Sequence, residues 1–127
     1  MSARSSTTVP PVISTFYERV DTGDVDAICA LFAADAVYAR PGYPELRSRA
    51  AIAHFYRHDR VIASGRHTID QSVVDWGTGH SLVAVRGSFE GVSRDGRPIA
   101  HRFAEFFRIG TDGLFTERET FFAVAHV

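Results

Sequence analysis

Apolar residues recur at helical spacing in the first half of the chain and at strand spacing in the second. Val12, Ile13, Phe16, Tyr17 and Val20 share one side of a helix. Pro10-Pro11 suit its first turn, where a missing backbone donor costs nothing, and Thr22-Gly23 ends it. Asp24 is a suitable N-cap for a second helix, in which Val25, Ile28, Cys29 and Phe32 repeat at i, i+3, i+4 and i+7. That pattern predicts a stop near Asp35. A short strand is predicted over 36–39 and a loop over 43–46, after the break at Pro41-Gly42. A third helix starts at Ser48, turns Ile52, Phe55 and Tyr56 inward, and runs to between Asp59 and Ile62 before Gly65 ends it.

From His67 the alternation is that of strands, predicted over 67–76, 80–91, 97–109 and 114–125. The turns between them are Gly77-Thr78-Gly79, Ser93-Arg94-Asp95-Gly96 and Thr111-Asp112-Gly113. Asp-Gly between two aromatic and β-branched runs is a strong hairpin signal. Helices first and a meander after predict an α+β fold, with three N-terminal helices packed on one face of a curved, mostly antiparallel sheet. Such a cone must fill its interior or hold a ligand. A chain of 127 residues makes one domain over 1–127, with 1–9 expected to be disordered.

Composition changes this picture little. A single cysteine, Cys29, excludes a disulfide framework within the chain and reads as a small buried hydrophobe. The opening MSARSSTTVPP has no apolar core, and no run of about 18 apolar residues follows, so a cytoplasmic protein with no membrane partner is expected. Fourteen Arg and no Lys, spread along the chain, balance fifteen acids, which leaves no clustered surface for nucleic acid. Ten Phe, four Tyr and one Trp suit either a large core or a pocket for a flat hydrophobic molecule. There is no Gly-rich phosphate loop, no Cys-His cluster and no Gly-x-Ser-x-Gly elbow, and the expected chemistry is cofactor-free.

The chemistry concentrates in the last hairpin. Glu105 stands among Phe103, Phe106 and Phe107, where alternation aims it at a core or cavity as an acid or base for proton transfer. A structural ion pair with Arg86 is the plainer reading, and a tight two-residue turn at Asp95-Gly96 would set Arg86 directly opposite. A three-residue loop Thr111-Asp112-Gly113 puts Glu119 opposite Glu105, two carboxylates able to share a proton. A two-residue loop instead puts Thr120 there, turns Glu119 outward and brings Arg118 in. His101 shares the face of Phe103 and Glu105 and either shuttles protons or packs; His67 is a weaker candidate of the same kind. His54 and His58 have the i, i+4 spacing of metal ligands without a third partner, so a solvated helix face is expected and no metal.

The segments FYERVDTGDVDAICALFAADAVYARPG, AAIAHFYR and AEFFRIGTDGLFTERETFF resemble the cystatin-like cone of the nuclear-transport-factor-2-like superfamily, over about residues 10–125. Within it they are most similar to the SnoaL-like and ketosteroid-isomerase-like branch. The resemblance implies a homodimer through the outer sheet face and a cofactor-free enzyme of secondary metabolism. That enzyme would be a polyketide-type cyclase, isomerase or dehydratase acting on a small hydrophobic carbonyl substrate. In the steroid isomerases a helix-one tyrosine and a protonated late-strand acid hold an oxyanion while a carboxylate before a proline takes the proton. Here the late-strand acid falls on Glu105, the base on Arg40, and the tyrosine on Phe16 with Tyr17 beside it. Arginine is no base and phenylalanine no donor, so steroid isomerisation is not expected.

The resemblance leaves Glu105 as acid or base with Glu119 and His101 as helpers. Tyr17, Tyr38, Arg40, Tyr56, Arg86 and Phe103 are then candidates for substrate binding. Core packing is the plainer role of each tyrosine, and Arg40 either clamps a carboxylate or enolate or points to solvent. Two alternatives stand: epoxide opening of the limonene-epoxide-hydrolase type, with Glu105 and Glu119, Asp70 or Glu90 flanking a water, and a ligand-binding module without catalysis.

Overall fold

The computed structural model describes residues 9–123. Helix α1 (Pro11–Thr22) begins on Pro10-Pro11 and ends on Gly23, whose left-handed φ of 79° lets its N–H donate to Arg19 O and Val20 O. Ile13, Phe16, Tyr17 and Val20 are its buried face, as the spacing predicts. Asp24 caps α2 (Val25–Cys29) by accepting from Ala27 N at 3.1 Å. This helix is six residues shorter than its apolar pattern predicts, because Phe32 opens strand β1 (Phe32–Ala39) and pairs with Phe115. Inter-strand pairing outweighs the local helical period.

Strand β2 (Leu46–Arg47) precedes α3 (Arg49–His54), which Ser48 caps through Ala51 N at 3.0 Å. The helix then widens into a π-helical turn, Phe55–Asp59, closed by Arg60 N donating to Phe55 O. Phe55 and Tyr56 are buried on it. Four long strands follow: β3 (Ile62–Trp76), β4 (His80–Ser93), β5 (Pro98–Gly110) and β6 (Phe115–Phe122). Gly65 does not stop a helix; it lies inside β3, where Phe89 packs so closely that an added Cβ would sit 2.2 Å from the ring.

The six strands run in the order β2-β1-β6-β5-β4-β3, and every neighbouring pair is antiparallel except β1 with β6. The fold is thus the expected α+β cone of helices on a curved sheet. One part of the space between the layers is filled by Phe16, Phe32, Phe107 and Phe115, each essentially without solvent exposure, at ring separations of 4.9–5.9 Å. The expected disorder of 1–9 lies outside the described residues except at Val9, which packs against the core. The predicted strand over 114–125 ends at Phe122, and positions 124 and 125 lie outside the described residues. No helix among the described residues is long and apolar enough to cross a membrane.

Candidate active site

The inward face of β5 divides the interior. Phe107 joins the phenylalanine cluster, whereas His101, Phe103 and Glu105 line a cavity of about 450 Å³. Tyr38, Arg40, Phe55, Tyr56, Arg60, His67, Phe89, Arg118 and Thr120 complete most of its wall. Two hairpin registers decide who faces whom. Across β4–β5, Val85 lies opposite Glu105 and Arg86 opposite Ala104. The expected Arg86–Glu105 pair is therefore absent: the turn has three residues, Arg94-Asp95-Gly96, so Arg86 faces outward and donates to Gln71 Oε1 at 2.7 Å. Arg86 is correspondingly no part of the cavity wall.

Across β5–β6 the turn also has three residues, yet Glu119 is not opposite Glu105. A bulge leaves Thr116 unpaired between Ile109↔Phe115 and Arg108↔Glu117, and the ladder continues as Phe107↔Arg118, Phe106↔Glu119 and Glu105↔Thr120. Glu119 is exposed on the convex face. Arg118 and Thr120 point in.

Glu105, 1 % exposed, is surrounded by donors. Arg118 Nε and Nη2 both reach its Oε2 at 2.7 Å, Thr120 Oγ1 donates to the same oxygen, and the Tyr17 hydroxyl donates to Oε1. A carboxyl group met by donors on both oxygens acts as an acceptor, unlike the protonated late-strand acid of the steroid isomerases. The hydroxyl comes from Tyr17, while Phe16 fills the core. Burial, with Glu105 adding to it, raises the Tyr17 pKa well above the ordinary phenol value, so it stays a donor.

Arg118 is wholly enclosed. Burial alone would weaken its charge, but the facing Glu105 outweighs it and holds the guanidinium well above its usual pKa. It lies 4.1 Å over the Tyr38 ring and 4.8 Å over Phe16, and its Nη1 donates to Tyr56 Oη at 2.8 Å. Burial pushes the Tyr38 phenol up to about 12. Its hydroxyl lies 3.3 Å from Thr120 Oγ1 and donates to it, since the one Thr120 proton is given to Glu105.

A second pair lies beside this network. Asp21 on α1 accepts from the His67 backbone N–H at 2.9 Å, and its Oδ1 lies 2.6 Å from His67 Nδ1. Since the carboxylate accepts, Nδ1 carries a proton, which leaves Nε2 as the ring nitrogen that can exchange one. Among the described residues Nε2 has no protein partner. The ring is wedged against Tyr17, Phe89 and Phe103 at 4.9, 4.7 and 5.5 Å. Sequence reasoning missed Asp21, although it stands one helical turn after Tyr17 and so shares its face.

His101 packs between Phe89 and Phe122, with its Nδ1 buried and without a hydrogen-bond partner. Burial lowers its pKa, favouring the neutral ring. Asp70 pairs with Arg102 on the surface and Glu90 is exposed, so neither joins Glu105. His54 and His58 stack at 4.7 Å on an exposed face, and no group of three potential metal ligands gathers among the described residues.

The structure of ActVI-ORFA from Streptomyces coelicolor superposes with a TM-score of 0.73 at 20 % identity, covering 91 % of this chain and 93 % of that one. A hypothetical protein from Catenulispora acidiphila with a ketosteroid-isomerase-like fold, in complex with trimethylamine, gives a TM-score of 0.75 at 20 % identity over 93 % of this chain and 89 % of that one. The orange carotenoid protein of Anabaena (Nostoc), solved with canthaxanthin, gives 0.79 at 16 % identity over 94 % of this chain, which spans only 38 % of that protein's length. At such identities the likeness is one of fold. No curated protein sequence matches this chain. The model of the SnoaL-like domain matches residues 13–118, nearly all of the architecture described above, and the chain belongs to that family.

Proposed function

We propose that this chain moves a proton on a compact hydrophobic carbonyl compound, the step shared by cyclisation, isomerisation and dehydration, and that His67 rather than Glu105 carries the proton. One observation supports this above all: His67 lines the cavity with Nδ1 held by Asp21, leaving Nε2 as the available base, whereas both oxygens of Glu105 are occupied. Asp21 positions the ring. Phe89 and Phe103 beside it keep water from competing for the proton.

Tyr56 supplies the matching donor. Its oxygen accepts from Arg118, and its own proton has no acceptor among the described residues, so it can donate to the substrate oxygen as an enolate forms. Glu105 holds Arg118 and Tyr17 in place for this, and His101 extends the neutral wall. The reaction needs no cofactor in this reading. Epoxide opening by paired acids has less support, because Glu119, Asp70 and Glu90 lie outside the cavity.

Hydrogen exchange tests the assignment. In D2O the protein should speed deuteration of 2-tetralone at its activated methylene, and His67→Gln should lower that enhancement about 100-fold with unchanged affinity for the ketone. Enhancement that survives His67→Gln overturns the reading. For the expected homodimer, the supporting feature is the convex face, where Val73, Phe106 and Phe121 are exposed and the two phenylalanine rings lie 5.9 Å apart. Sedimentation should give a dimer that Phe106→Asp converts to monomer; a monomeric parent protein removes the dimer from the proposal.

A further inference from the structure

The cavity wall carries more positive charge than it neutralises. Glu105 answers Arg118, but Arg40 and Arg60 line the same wall and meet no carboxylate within salt-bridge distance among the described residues. The Arg40 guanidinium is sandwiched between the rings of Phe55 at 4.2 Å and Tyr43 at 4.4 Å, and its Nε is buried without a hydrogen-bond partner. Arg60 lies 5.5 Å over the ring of Tyr56, whose centroid is 5.1 Å from that of Phe55. Adjacent rings thus carry the two guanidiniums. Burial lowers the Arg60 pKa, a sign that its hydration is lost without a full replacement. The remaining acid of the wall, Asp59, is exposed and faces His54 at 3.4 Å.

Stacking occupies the faces of a guanidinium and leaves its N–H edge to bind in the plane. Partly buried cations without counter-charges are costly, and a bound anion offsets that cost. We infer that Arg40 and Arg60 form an anion clamp and that the ligand is a hydrophobic carboxylate, its ring system against Phe89 and Phe103 and its carboxylate on the two guanidiniums. A phosphate ester fits less well, since neither a Gly-rich loop nor a long helix N-terminus adds donors there. This deepens the proposed reading by naming a substrate class. Its test measures binding and not turnover, so the two can fail separately.

Calorimetry with 2-naphthoate and its neutral analogue 2-naphthamide reads the clamp directly. The acid should bind about tenfold more tightly than the amide. Arg40→Met and Arg60→Met should each remove most of that preference while leaving amide affinity unchanged and the unfolding midpoint unchanged or raised. If Arg60→Met does not fold, Arg40→Met alone reads the same discrimination. Equal affinities for acid and amide, a preference that survives substitution of the clamp, or binding of neither probe overturns the inference. A larger preference for 2-naphthyl phosphate than for 2-naphthoate overturns the carboxylate assignment.

Discussion

The hairpins β4–β5 and β5–β6 share a strand and a turn, three residues closing on a left-handed glycine at Gly96 (φ 87°) or Gly113 (φ 82°), but they treat their partners oppositely. In β4–β5 the register set at the turn runs unbroken from Val92↔Pro98 to His80↔Gly110. In β5–β6 it slips by one residue within a few pairs, at Thr116, whose hydroxyl donates to Arg108 O at 3.2 Å. The first hairpin leaves Arg86 in solvent; the second brings Arg118 into the interior. Turn chemistry fixes only the starting parity of a ladder. One unpaired residue then decides whether Glu105 meets a second acid or a guanidinium.

An insertion beyond that residue is the harshest test. With one alanine inserted between Glu117 and Arg118, Glu119 falls opposite Glu105 and Arg118 turns outward, which should abolish the cooperative urea transition; a protein that unfolds as the parent does would show that the register past Thr116 is not what sets the site. Arg118→Met should cost about 3–5 kcal/mol in urea denaturation, because it strands a buried carboxylate. Adding Glu105→Gln should recover part of that loss, whereas additive losses would mean that the two groups are not coupled.

The His101 effect is smaller. Its folded pKa lies below the ordinary value of 6.5, so the unfolded chain takes up the proton first on acidification. Stability should therefore fall as the pH drops through the region below that value, and His101→Gln should shrink the fall; denaturation midpoints at about pH 7.5 and 5.5 measure it. In the unbroken hairpin, Arg86→Ala should change stability by no more than about 0.5 kcal/mol, as expected of an exposed hydrogen bond. A loss as large as that of Arg118→Met would erase the contrast between the two ladders.

Much of the architecture is legible in the amino-acid pattern, because α1 and the four long strands each carry one clear period over many residues. Local pattern misleads where partners are remote. Val25, Ile28, Cys29 and Phe32 read as one helical face, yet Phe32 is claimed by Phe115. The inward aim of Glu105 follows from alternation alone. Its partners do not, since the slip at Thr116 has no signature in a Phe-Thr-Glu-Arg stretch that alternates equally well in either register. Asp21 and His67 are 46 residues apart and join only when α1 packs on β3. Asp21 at the end of a helix reads as a solvated acid until its position one turn beyond Tyr17 is weighed.

The parallel pairing of β1 with β6 sets an order of events during synthesis. Phe32 leaves the ribosome about eighty residues before Phe115, the strand partner it needs. Until then β1 has only the two-residue β2 beside it in the sheet, and Phe16 and Phe32 lack the Phe107 and Phe115 rings that complete their cluster. Completion of the cone is a late, long-range event, slow by nature and exposed to chaperones and proteases. Loss of β6 from a nascent or truncated chain would uncover that aromatic floor as well as remove Arg118 and Thr120.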